Sequence, residues 1–140
     1  MIRTALIAAG LASAAIAAPG LAQTTPTSLH LVAKAGHGGF QPHRPKPGSR
    51  FGFIQSISGD DQGTSRGVCT YLGGQPMLLC TLQLDLAKGT ITAQGLIPQK
   101  AHDTPVAITG GTGAYNGARG TALATDVSSA KTTIDISLLG

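Results

Sequence analysis

Val106-Ala-Ile-Thr-Gly-Gly-Thr-Gly-Ala-Tyr-Asn-Gly-Ala-Arg-Gly120 is the stretch on which the fold turns. Gly110, Gly111, Gly113, Gly117 and Gly120 fall within eleven positions, directly after a short apolar run. Glycine reaches positive φ without a Cβ clash, so such a cluster marks a backbone that turns sharply more than once. Gly111-x-Gly113-x-x-x-Gly117 invites comparison with a dinucleotide-binding turn, whose backbone N–H groups hold a pyrophosphate at a helix N-terminus. That motif needs a helix and a second parallel strand behind it. Thr121–Thr125 and Thr132–Leu139 instead read as two short strands around 126–131, and no Gly-Lys-Ser/Thr follows. A nucleotide site is therefore rejected.

Working outward, the chain has 140 residues and opens on Met1-Ile2-Arg3, an apolar Ala5–Ala18 run and Pro19-Gly20-Leu21-Ala22. One positive charge, an apolar core and small residues at −3 and −1 form the layout of a secretory signal peptide, so residues 1–22 read as a leader cleaved before Gln23. The apolar run is shorter than the ~20 residues of a membrane span, so no stable membrane anchor is expected after cleavage. A secreted or periplasmic location follows.

Removing the leader leaves nine Lys and Arg against six acidic residues, all Asp. The basic residues are scattered apart from His43-Arg44-Pro45-Lys46 and Arg50, and no aromatics interleave with them, so no nucleic-acid partner is expected. A weak basic surface module built on Lys34–Arg50 is the remaining reading of that cluster. Residues 23–50 read as one short strand, Leu29–Ala33, followed by a flexible Gly- and Pro-rich linker. His37 and His43 lie in that linker without the three or four fixed ligands a metal needs, so neither a metal nor a cofactor is expected.

From Phe51 to Gly140 the sequence reads as one β domain. Leu82, Leu84 and Leu86 alternate with Thr81, Gln83 and Asp85, and Ile134, Ile136 and Leu138 alternate with Thr133, Asp135 and Ser137. Two-residue alternation puts each set on one face of a strand. Seven or eight such strands without a helix of standard length predict an all-β sandwich or barrel, between which patterning does not choose.

Cys69 and Cys80 are the only cysteines. A turn at Gly73-Gly74-Gln75-Pro76 centred between Gly74 and Gln75 pairs Leu72 with Met77 and sets the two cysteines opposite each other. In an exported chain this predicts a disulfide, with two free core thiols or a reactive thiol as the alternatives. Among the acids, Asp60 and Asp61 read as solvated turn formers, and Asp85 and Asp135 as solvent-facing strand residues.

Several motifs occur in an order that resembles the allene oxide cyclase-like and dirigent-like barrels. They are Gly63-Thr-Ser-Arg-Gly67 leading into Val68-Cys69, Leu79-Cys80-Thr81, Gly89-Thr-Ile-Thr-Ala-Gln-Gly95 and Ala107–Gly120. The last is similar to the family's GGTG-x-aromatic-x-x-ARG hallmark. The resemblance covers about Phe51 to Leu139. It implies an eight-stranded antiparallel β-barrel, often a homotrimer, whose cavity takes a small apolar or phenolic ligand. It further implies an isomerase or cyclase, or a dirigent-type stereochemical guide, with Arg119 and Tyr115 as the candidate catalytic residues. The chain has no Glu, which weakens the cyclase chemistry and keeps a second reading open: a non-catalytic structural or ligand-binding module of the cell envelope.

Overall fold

The computed structural model describes residues 28–74 and 76–139. The leader at 1–22, the polar lead-in that follows it, and Gln75 of the hairpin turn lie outside the described residues. Eight strands follow one another: β1 (Ser28–Ala35), β2 (Arg50–Gly59), β3 (Gly63–Tyr71), β4 (Met77–Leu86), β5 (Gly89–Pro98), β6 (Asp103–Gly111), β7 (Gly120–Ser128) and β8 (Lys131–Leu138). Each pairs antiparallel with the next, and β1 pairs with β8, so the sheet closes on itself. Closure leaves no unpaired strand edge, which is how an all-antiparallel sheet of this size avoids edge-to-edge aggregation. The choice between sandwich and barrel thus falls to the eight-stranded barrel.

The alternation seen in the sequence sets which way each side chain points. Leu29, Leu31 and Ala33 of β1, Leu84 and Leu86 of β4, Ile91 and Ala93 of β5, and Ile136 and Leu138 of β8 are buried in one cluster. Fully burying a Leu or Ile side chain is worth ~1.5–3 kcal/mol. A one-residue slip would turn every one of them outward, so the register is firmly specified.

The barrel begins at Ser28, not at residue 51. Val32 pairs with Ser58 on β2 and with Thr133 on β8, so β1 is the stave that seals the cylinder. Nor is the stretch from 34 to 50 a free arm. Lys34 and Ala35 end β1, Arg50 starts β2, and the connection between them is bonded to the barrel. Gly36 N–H donates to the Ile54 carbonyl (2.9 Å), Phe40 and Gly52 exchange bonds of 3.0 and 2.9 Å, and Gly48 N–H donates to the Tyr71 carbonyl (2.7 Å). Its Gly and Pro content had argued against strand pairing. Closing a longer loop costs only ~0.6 kcal/mol per doubling of length, which the β1 pairings readily offset.

The other boundaries shift outward. β6 starts at Asp103, and β7 runs on to Ser128, through Asp126, into the 126–131 stretch that the sequence sets between two short strands. Cys69 pairs with Cys80 in the β3–β4 register, and the two form a disulfide with a Cα–Cα distance of 4.0 Å.

Candidate functional site at the open end of the barrel

The two ends of the cylinder differ in chemistry. One end is shut by the glycine cluster. After β6, Thr112 leads into a single 3-10 turn, Gly113–Tyr115, and the chain then drops back into β7. Gly113 has φ +62°, and a Cβ there would sit 2.6 Å from the Lys88 carbonyl oxygen, so no other residue fits. The turn places Tyr115 under the barrel with 0% of its surface exposed. Its hydroxyl donates to Asp61 Oδ2 (2.6 Å), and Asp61 also accepts from the backbone N–H of Gln62 (2.8 Å) and of Lys88 (3.3 Å).

Asp61 is 6% exposed, so the solvated-turn reading of this residue is corrected. Its turn position is right, but the buried phenol behind it, supplied from far along the chain, draws the carboxylate inward. Burial disfavours the Asp61 charge, yet the Tyr115 hydroxyl, the two N–H donors and the Lys88 charge together hold its carboxyl below the ordinary value. Burial, and then the bond to Asp61 and the charges of Asp61 and Asp60, push the Tyr115 phenol well above its ordinary range. Arg119 is exposed beside this end, and its carbonyl accepts from Leu139 N–H (2.8 Å). Tyr115 and Arg119 thus stand together at the closed floor, and neither lines the lumen cavity. Asp60 caps the same end by accepting from His30 N–H (2.7 Å). Asp85 faces outward as expected, bonded by Arg66 (2.8 Å), and exposed Asp135 meets His30 Nδ1.

The other end is open. A lumen cavity of about 270 Å³ runs inward from it. Its walls are mostly apolar, with Phe51 and Phe53 from β2, Leu82 and Leu84 from β4, and Ile134 and Ile136 from β8. The disulfide forms part of the same wall. A small set of polar groups interrupts it: Gln55, Ser65, Thr104, Asp126 and Thr132. Asp126 is the single titratable side chain among these lining residues, since both cysteines are bonded. Thr132 Oγ1 donates to Asp126 Oδ1 (2.8 Å), and the β7–β8 register shifts between Asp126 and Ser128, where the strand pair ends. An apolar chamber with a few polar groups and one carboxylate is the usual make-up of a small-molecule site.

The sequence reading missed Asp126, although its phase contains the signal. Asp126 continues the inward series Ala122, Ala124, and Thr104 precedes the inward Val106 and Ile108 by the same step of two. Ending the strand at Thr125 cuts the first series short.

A wider hollow lies elsewhere, on the outer wall beneath Phe40, with about 620 Å³ between Arg50, Arg66 and Leu79. It is an open flank of the sheet, and its Arg66 is already engaged by Asp85. The lumen, walled on its sides by the barrel and holding a carboxylate, is the better site. Among the described residues no three His, Cys, Asp or Glu side chains gather to hold a metal, and no helix is long and apolar enough to cross a membrane.

Comparison with known proteins agrees with this architecture. Residues 56–138 match the family described as the allene oxide cyclase barrel like domain. Among solved structures, a pyocyanin demethylase is 29% identical with a TM-score of 0.62, over 80% of this chain and 98% of its own. The pterocarpan synthase dirigent protein GePTS1 is 19% identical with a TM-score of 0.67, over 94% of this chain and 98% of its own. AbnU, an exo-specific intermolecular Diels-Alderase, is 18% identical with a TM-score of 0.65, over 81% and 97%. The last two share the fold. No functionally curated protein matches the sequence.

Proposed function

The chain belongs to the allene oxide cyclase barrel-like family, and from that premise we propose that it is an exported barrel which takes one small apolar or phenolic molecule into its lumen and steers an isomerisation or ring closure there. The observation that carries this reading is the open-ended apolar chamber with Asp126 as its one titratable group. Its volume of about 270 Å³ lies just below the ~300–1,000 Å³ typical of small-molecule sites, which suits a compact ring system.

Two physical effects are available to such a chamber. Apolar walls expel water and hold a flexible substrate in a reactive shape, removing part of an entropic barrier. A lone carboxylate can accept a proton from one atom of the substrate and return it to another, leaving no net change in the enzyme. Thr132 positions that carboxylate through its bond to Oδ1. Tyr115 and Arg119 in this reading serve the floor of the barrel, not the reaction. The pyocyanin demethylase relative supports a catalytic role for a barrel of this size, and the leader-like N-terminus supports export. The family resemblance supports a homotrimer.

Calorimetric titration with 1-naphthol, a compact phenol, tests the lumen. Wild type is expected to bind it, and Ile134→Trp, which fills the chamber, to lose at least tenfold in affinity while staying folded. Asp126→Asn is expected to keep binding and lose ~10²–10⁴-fold in turnover of a true substrate, the usual contribution of a positioned base. A barrel that takes up no apolar or phenolic ligand is the envelope module of the second reading.

A further inference from the structure

The mouth of the lumen is not bare. A second hollow of about 230 Å³ lies beside it, between the β1–β2 connection and the rim. Phe51 and Leu78 line both this hollow and the lumen, so they form the partition between the two. The outer wall is held in place by bonds on both sides. Gly48 N–H donates to the Tyr71 carbonyl and Tyr71 N–H donates to the Ser49 carbonyl (2.7 and 2.8 Å). Ser49 Oγ accepts from Lys46 N–H (2.8 Å), and Gln99 N–H from the far rim donates to the Pro76 carbonyl (2.7 Å).

The lining of this vestibule differs in kind from that of the lumen. It combines two aromatic rings, Phe51 and Tyr71, with two primary amides, Gln41 and Gln99, the Ser49 hydroxyl and two prolines. No lining side chain carries a charge. Amides and hydroxyls both donate and accept, so they match a group dense in hydroxyls, while aromatic faces accept the C–H side of a saturated ring. An anionic or cationic substituent would find no counter-ion there. Each hollow alone is below the ~300–1,000 Å³ of an ordinary small-molecule site, but joined they fall inside it.

We propose that the barrel recognises a two-part ligand: an apolar or phenolic ring system in the lumen, carrying a neutral sugar-like substituent that sits in the vestibule between Tyr71 and the Gln41 and Gln99 amides. This rests on the lumen reading given above and adds the substrate class to it. Phe51 and Leu78, the lining that the two hollows share, lie where the two parts of the ligand meet, and the vestibule selects for the substituent by hydrogen bonding, not by charge.

The test compares 1-naphthol with 1-naphthyl β-D-glucopyranoside by calorimetric titration of the full chain. Wild type is expected to bind the glucoside about tenfold tighter than the phenol. The Gln41→Ala/Gln99→Ala double variant, altered at two exposed loop positions, is expected to erase that preference and leave naphthol binding unchanged. Tyr71→Leu is expected to weaken the glucoside alone. If naphthol binds but the glucoside is refused, or is held no tighter and is indifferent to the glutamine changes, the vestibule proposal is overturned and the lumen reading stands. If neither compound binds, the lumen reading fails and takes the vestibule with it.

Discussion

The floor and the mouth of this barrel are built from the same strands, yet they resolve a polar group in opposite ways. At the floor, Asp61 is enclosed and its carboxylate accepts from a phenol and two backbone N–H groups. At the mouth, Asp126 stays exposed and accepts from one hydroxyl, Thr132. A buried carboxylate with its bonding capacity filled stabilises a fold and offers nothing to a ligand. One that keeps bonding capacity beside an apolar chamber is free to act. In the proposed reading the floor carboxylate serves stability and the mouth carboxylate recognition, so substitutions at these two groups should have separable effects.

The largest effect is expected at the floor. Tyr115→Ala empties a fully buried aromatic site and strips the Asp61 carboxylate of its phenol donor, so a loss of ~3–5 kcal/mol is expected from the cavity alone. Chemical denaturation measures it. Tyr115→Phe keeps the packing and should cost ~1–3 kcal/mol, the penalty of a buried acceptor losing its donor. A Tyr115→Phe protein as stable as wild type would show that the Asp61 bond contributes nothing.

Next comes the disulfide at the mouth. Cys69→Ser/Cys80→Ser removes a cross-link spanning 11 positions, worth on the order of 3 kcal/mol at most. Because the cystine also lines the lumen, this is the one stability change expected to alter ligand affinity too, which calorimetry of the same variant would read.

The pH dependence gives a smaller, two-sided signature of the floor. Asp61 is held below its ordinary value, so the stability it contributes is present above about pH 4 and is lost as pH falls through the folded-state value. Tyr115 is held above its ordinary value. The unfolded chain loses that proton near pH 10 while the folded chain keeps it, so stability declines as pH rises beyond about 10. Melting temperature against pH should fall on both flanks, and the alkaline decline should shrink in Tyr115→Phe. The smallest change is on the outer wall. Arg66→Ala breaks an exposed pair with Asp85 and should cost less than ~1 kcal/mol, with no effect at either end.

How much of this was legible beforehand follows the range of the interactions. The β3–β4 hairpin was readable to the residue, because a turn at 73–76 and two cysteines are local signals that set one register. The glycine cluster announced a tight corner for the same reason: the constraint on Gly113 is local backbone geometry. The role of β1 was hidden. Leu29–Ala33 looked like a strand, but its partners lie beyond a Gly- and Pro-rich connection on one side and near the end of the chain on the other. Asp61 was misjudged because its phenol partner is 54 positions away, and no periodicity links the two. Asp126 was within reach of alternation, but extending a strand through Thr125-Asp-Val-Ser128 meant trusting phase over the turn-forming character of Asp and Ser.

The division of labour between floor and mouth can be read from a single NMR titration of the isotopically labelled chain with 1-naphthol, following backbone amides. The account predicts shift changes at Ala124, Asp126, Thr132 and Ile134, with Gly113–Arg119 unmoved. Changes centred on Tyr115 and Arg119, or on the outer wall around Phe40 and Leu79, with the lumen amides unmoved, would contradict it.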